Sequence, residues 1–75
     1  MPTLVRLDGG KVAMYANDHG EPHFHVEAPG ERCSVSIERL EVIVGSVPPV
    51  VLREALSWAK ENRDLLRARW KELNP

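Results

Sequence analysis

The sequence predicts a small α+β domain: an antiparallel sheet of four to five strands covered on one face by one or two C-terminal helices. Three observations predict it. Short stretches of the first half alternate apolar and polar residues between glycine and proline turns, and Val50 to Leu73 repeats apolar residues at helical spacing. The chain has 75 residues, room for one core only. Residues 1–75 are therefore read as a single domain, with the sheet and a histidine loop in 1–45 and the helical segment in 46–74.

Thr3–Leu7 is rich in β-formers and runs into Asp8-Gly9-Gly10, a hairpin signal because glycine adopts positive φ freely. Lys11–Ala16 then alternates, with Val12, Met14 and Ala16 opposite Lys11, Ala13 and Tyr15. His23–Ala28 sets Phe24, Val26 and Ala28 against His23, His25 and Glu27. After the Pro29-Gly30-Glu31 turn, Arg32–Ile37 sets Cys33, Val35 and Ile37 against Arg32, Ser34 and Ser36. Two neighbouring strands, each with one apolar and one polar face, suit an antiparallel sheet covered on one side. Glu41–Val44 adds a short strand.

Ser46 offers a helix N-cap, and prolines suit a first turn whose N–H groups have no helical partner. Leu52, Leu56, Ala59, Leu66, Trp70 and Leu73 form an apolar stripe, broken at Arg63 and widened by Val51, Ala55, Trp58 and Leu65. The polar run Lys60–Asp64 predicts two helices meeting near Asn62. One unbroken helix would extend about 36 Å, long for so small a sheet.

Composition narrows the function classes. The net charge is −1, with 1–49 carrying four basic and seven acidic residues (−3) and 50–75 six basic and four acidic (+2). That asymmetry falls short of a nucleic-acid footprint. The lone Cys33 precludes an internal disulfide and suits a reducing compartment. With no signal-peptide pattern and no apolar stretch of spanning length, a cytoplasmic protein without a membrane role is expected.

The chemistry concentrates in Asn17–Val26, N-D-H-G-E-P-H-F-H-V, which holds all three histidines. Period-two geometry puts His23 and His25 side by side on the polar face, with Asp18 and His19 in the loop that feeds the strand. Three readings are open. In the first, His23 and His25 are acid and base for metal-independent phosphodiester cleavage. His19 and Asp18 then position the substrate, and Arg32, Glu27 and Tyr15 help to bind it. In the second, His19, His23 and His25 with a nearby carboxylate hold a divalent metal such as zinc. In the third, the histidines only pair with Glu27, Asp18 or backbone groups. Cys33 reads as a buried thiol, Trp58 and Trp70 as core residues, and Lys60, Arg63, Arg67 and Lys71 as a solvated helix face.

The stretches M-P-T-L-V-R-L-D-G, M-Y-A-N-D-H-G-E-P-H-F-H-V, L-E-V-I-V-G-S-V-P and A-L-S-W-A-K-E-N-R-D-L-L-R-A-R-W resemble a family of small bacterial proteins, the domain of unknown function 4160. Its members commonly carry two prolines before H-F-H, whereas here Glu21 stands in the first of those places. The family is often encoded beside a second small protein, as toxin–antitoxin pairs are. The resemblance thus implies a toxin-like protein, the toxin half of a type II pair, bound to a small co-encoded partner. The residue chemistry, with the habits of toxin modules, adds the expectation of a small histidine-dependent nuclease acting on RNA or another nucleic acid, and an oligomer is a further expectation. The resemblance implies Asp18, His19, His23 and His25 as the working residues. A non-catalytic, antitoxin-like interaction module and a metal-binding protein are the competing classes.

Overall fold

The computed structural model describes residues 2–75. Five strands, β1 (Thr3–Arg6), β2 (Lys11–Ala13), β3 (His23–Ala28), β4 (Glu31–Ser36) and β5 (Val42–Ser46), precede two helices, α1 (Pro49–Glu61) and α2 (Arg63–Leu73). The strands form one antiparallel meander in the order β1-β2-β3-β4-β5. Short connections let each strand pair with its sequence neighbour, so the sheet needs no crossover.

The β3–β4 register sets the two faces. Phe24 lies opposite Val35 and Val26 opposite Cys33; His23 lies opposite Ser36, His25 opposite Ser34 and Glu27 opposite Arg32. The first pairs feed a core that also takes Val12, Met14 and Ile37 from the sheet side, Val51, Ala55 and Ala59 from α1, and Leu66 from α2. The alanines on α1 let that helix lie close to the sheet. Leu66 is the one buried residue of α2. It anchors the second helix.

Three sequence expectations need correction. The second strand ends at Ala13, not Ala16: the Met14 N–H still bonds the Pro2 carbonyl at 2.9 Å, but β1 begins at Thr3 and the chain turns away through Asn17 at φ +60°. Ser46 does not cap a helix. It ends β5, Pro48 takes the N-cap position, and Pro49 opens α1 without a side-chain cap. The fifth strand runs Val42–Ser46 rather than Glu41–Val44; it passes through Gly45 at φ +87°, a left-handed conformation that glycine adopts without strain. A Cβ there would run into the Arg32 carbonyl.

The helix break falls at Asn62, where the polar run places it. The Asn62 side chain donates to the Trp58 carbonyl at 2.8 Å, so a group at the helix end is satisfied locally. Arg63, which interrupts the apolar stripe, is no solvated residue: its Nε donates to the Ile37 carbonyl at 3.2 Å. Arg67 grips Glu38 through two hydrogen bonds of 2.9 and 2.7 Å. These contacts bring α2 past the far end of β4 and on to the loop that precedes β3.

Candidate metal centre

β3 fixes the histidine pair. His23 and His25 point to the same face, with ring centroids 5.1 Å apart. His23 is only 7% exposed, packed at 5.0 Å against the Trp70 ring of α2. His25 meets the Tyr15 ring edge-on at 5.0 Å. Two aromatic neighbours on opposite sides leave the imidazoles little freedom to turn away from each other.

The loop between β2 and β3 supplies the third group. Asn17 has φ +60°, a conformation asparagine tolerates better than most residues, and it turns the chain so that Asp18 folds back over the strand. The end of α2 then fastens the loop. The Asp18 N–H donates to Asn74 Oδ1 at 2.7 Å and the Asn17 N–H to the Leu73 carbonyl at 3.4 Å. At the other end of the loop, Glu21 accepts from Ser36 Oγ at 2.9 Å and from Arg39 at 2.7 Å. Glu21 thus secures this end of the loop by hydrogen bonding, next to the ring restraint of Pro22.

The outcome is a convergence on one atom. Asp18 Oδ2 lies 2.9 Å from His23 Nε2 and 3.0 Å from His25 Nε2. The hydrogen bond with His25 holds the Asp18 carboxyl below the usual carboxylate range, outweighing its partial burial. The charge of His23 and the His19 N–H act in the same direction. Opposite its Nε2, the His23 Nδ1 lies 2.8 Å from the Glu21 carbonyl, which can only accept, so Nδ1 carries a proton. With that proton committed, Nε2 faces the carboxylate favourably only if it too is protonated or if a cation lies between them. His25 Nδ1 has a weaker neighbour, Ser34 Oγ at 3.4 Å.

Asp18, His23 and His25 are the set whose ligand atoms all lie within 4.8 Å of one another. His19 is not in it. The residue is exposed, and it meets the centre through its backbone N–H, donated to Asp18 Oδ1 at 3.1 Å. The three-histidine metal set read from the sequence is therefore not brought together; two histidines and the carboxylate are.

Beside this centre the polar sheet face forms an open groove of about 620 Å³, lined by Tyr15, Asp18, His25, Arg32, Ser34 and Val44 among others. Tyr15 donates its hydroxyl to Glu27, and that bond, with burial, pushes the phenol up from its ordinary value. Lys11 lies 3.7 Å from the same carboxylate group. Trp70, Asn74 and Ser34 were not legible as parts of the site, since each reaches it through tertiary contact and none belongs to the histidine motif; Glu21 lies within the motif, but no local pattern shows that its carbonyl meets the His23 ring. Cys33 is buried on the opposite face, where burial raises its thiol pKa. No helix among the described residues is long and apolar enough to cross a membrane.

A family model described as a domain of unknown function (DUF4160) matches residues 9–71, which include the whole site except Asn74. No curated protein and no solved structure matches the chain.

Proposed function

This chain belongs to the DUF4160 family, a membership that names no reaction, and we propose from the geometry that it is a divalent-metal-binding protein with Asp18, His23 and His25 as ligands. The observation that carries the reading is the meeting of two imidazole Nε2 atoms at one carboxylate oxygen, 2.9 and 3.0 Å away. Three acceptor atoms so close repel one another unless protons or a cation lie between them. The Glu21 carbonyl on His23 Nδ1 supports it further, because a metal-ligating imidazole commonly donates its other N–H to such a group, which fixes the tautomer. Two histidines and one carboxylate suit zinc or a neighbouring transition metal, with coordination positions left for water or substrate. When bound, such an ion supplies Lewis acidity at the groove wall. The protein's part is to hold Asp18 in place through Asn74, to orient His23 through Glu21 and Trp70, and to keep Tyr15 and Ser34 beside His25.

Calorimetric titration of the full chain with zinc tests this. One ion per chain is expected, with affinity lowered at least about a hundredfold by His25→Ala or Asp18→Ala and unchanged by His19→Ala. Binding unaffected by His25→Ala contradicts the assignment.

A nuclease toxin bound to a small co-encoded partner is the second reading. Edge strand β5 favours it, since Val42, Ile43 and Val44 are 40, 43 and 64% exposed and the strand's outer edge is unpaired. Its metal-free form fits less well. Acid and base in an in-line displacement work at opposite ends of the scissile bond, whereas His23 and His25 converge on one point. Growth arrest on expression, relieved by His23→Ala with His25→Ala, supports this reading; arrest that survives both changes removes it.

A further inference from the structure

We infer that the groove beside the metal centre binds a phosphodiester, with Arg32 as its anion contact; the inference rests on the metal reading above. The starting point is an arginine without its expected partner. Glu27 lies directly opposite Arg32 across β3 and β4, where opposite charges ordinarily pair. Instead the Glu27 carboxylate is taken by the Tyr15 hydroxyl and by Lys11. Arg39, Arg63, Arg67 and Arg69 are each engaged by a carboxylate or a carbonyl. Arg6, Arg32 and Arg53 have no hydrogen-bond or ion-pair partner among the described residues, and of these three Arg32 lines the same groove as Asp18 and His25.

Register sets the distance. His25 lies opposite Ser34, and Arg32 is two residues along β4 on the same face. Two residues of strand span about 7 Å. At that backbone spacing, the long Arg32 side chain and an ion held at His25 come within reach of one phosphate group. His23 is buried behind this wall, while Asp18 and His25 line it, so a ligand would approach an ion held by these residues from the groove.

With Asp18 bound, a divalent ion leaves one net positive charge, and Arg32 adds a second, while the Glu27 carboxylate beside Arg32 is offset by Lys11 at 3.7 Å. An anion is therefore favoured, and the groove of about 620 Å³ leaves room for an ester substituent on either side of its phosphate. The Ser34 hydroxyl, opposite His25 and 3.4 Å from its Nδ1, lines the same groove and can donate to a phosphoryl oxygen. Backbone of the nucleic-acid kind and small cyclic or linear diesters share this group.

The probe is dimethyl phosphate, titrated into the zinc-loaded chain while the Arg32 Nε–H signal and the Ser34 amide are followed by NMR. Both are expected to shift and saturate. Arg32→Gln, at an exposed position, should weaken binding about tenfold and leave zinc affinity within about twofold. A single-stranded oligonucleotide binding more tightly than dimethyl phosphate marks a polymer as the source, and equal affinity marks a small diester. Unmoved Arg32 signals in a zinc-loaded protein, or equal affinity in Arg32→Gln, overturn the anion site and leave the metal reading standing. If zinc fails to bind while dimethyl phosphate still shifts Arg32, the metal reading falls and the anion contact survives.

Discussion

Leu66→Ala is the substitution with the most informative consequence for the fold, because Leu66 is the only buried residue of α2 and is 0% exposed. The change removes three buried carbons, about 2.5 kcal/mol of transfer free energy at ~0.8 kcal/mol for each. The cavity left behind raises the cost to between about 2.7 and 5 kcal/mol. A chain of 75 residues has about 4–11 kcal/mol in total at the usual stability per residue. The variant should therefore lose a quarter of its stability or more, and its Tm should fall by more than about 10 °C. Urea unfolding followed by tryptophan fluorescence measures the loss, and Trp70 reports locally because it packs on His23. Val44→Ala, at a residue 64% exposed, is the control and should cost less than about 0.5 kcal/mol. A loss below about 1 kcal/mol in Leu66→Ala refutes the docking of α2. The clamp of Trp70 on His23 and of Asn74 on Asp18 would then have no support.

Other perturbations read other parts of the structure. Gly45→Ala places a side chain at φ +87° against the Arg32 carbonyl. It should destabilise by about 2–3 kcal/mol and speed hydrogen exchange along β4 and β5; unchanged exchange would count against the strand geometry. Cys33 is 3% exposed with its thiol pKa raised by burial, so iodoacetamide should label it only as the chain opens. Fast labelling at pH 7 contradicts its burial. Asn74→Ala removes the 2.7 Å bond to the Asp18 N–H and should cost about 1 kcal/mol, with hydrogen exchange rising at Asp18 but not in β3. An unaltered Asp18 amide would show that α2 does not fasten the loop.

The sheet and the histidine pair were legible because both rest on period-two alternation, which is local. The helix break at Asn62 was legible for a similar reason: five consecutive polar residues cannot extend an apolar stripe. What comes to the pair from outside the strand was not legible. Asp18 and His19 are neighbours in sequence, yet Asp18 meets both imidazoles and His19 stays at the surface. Asn17 at positive φ and an acceptor 56 residues further on, Asn74 Oδ1, set the direction of the Asp18 side chain. Ser46 misled for a different reason. Its side chain suits an N-cap, but the Gly45 kink prolongs β5 through it, and pairing with Arg32 across β4 occupies the residue. Arg63 and Arg67 looked like a solvated face, since no local pattern shows that the Ile37 carbonyl and Glu38 lie within their reach.

The central claim is that two imidazoles and the Asp18 carboxylate together hold a metal ion. X-ray absorption at the zinc edge of the protein loaded with one equivalent tests it most directly, because imidazole rings give a distinctive multiple-scattering pattern and sulfur gives a longer, heavier shell. The account predicts two imidazole ligands at about 2.0–2.1 Å with oxygen completing the shell, falling to one imidazole in His25→Ala and staying at two in His19→Ala. A shell containing sulfur, or one that loses an imidazole in His19→Ala and none in His25→Ala, contradicts it.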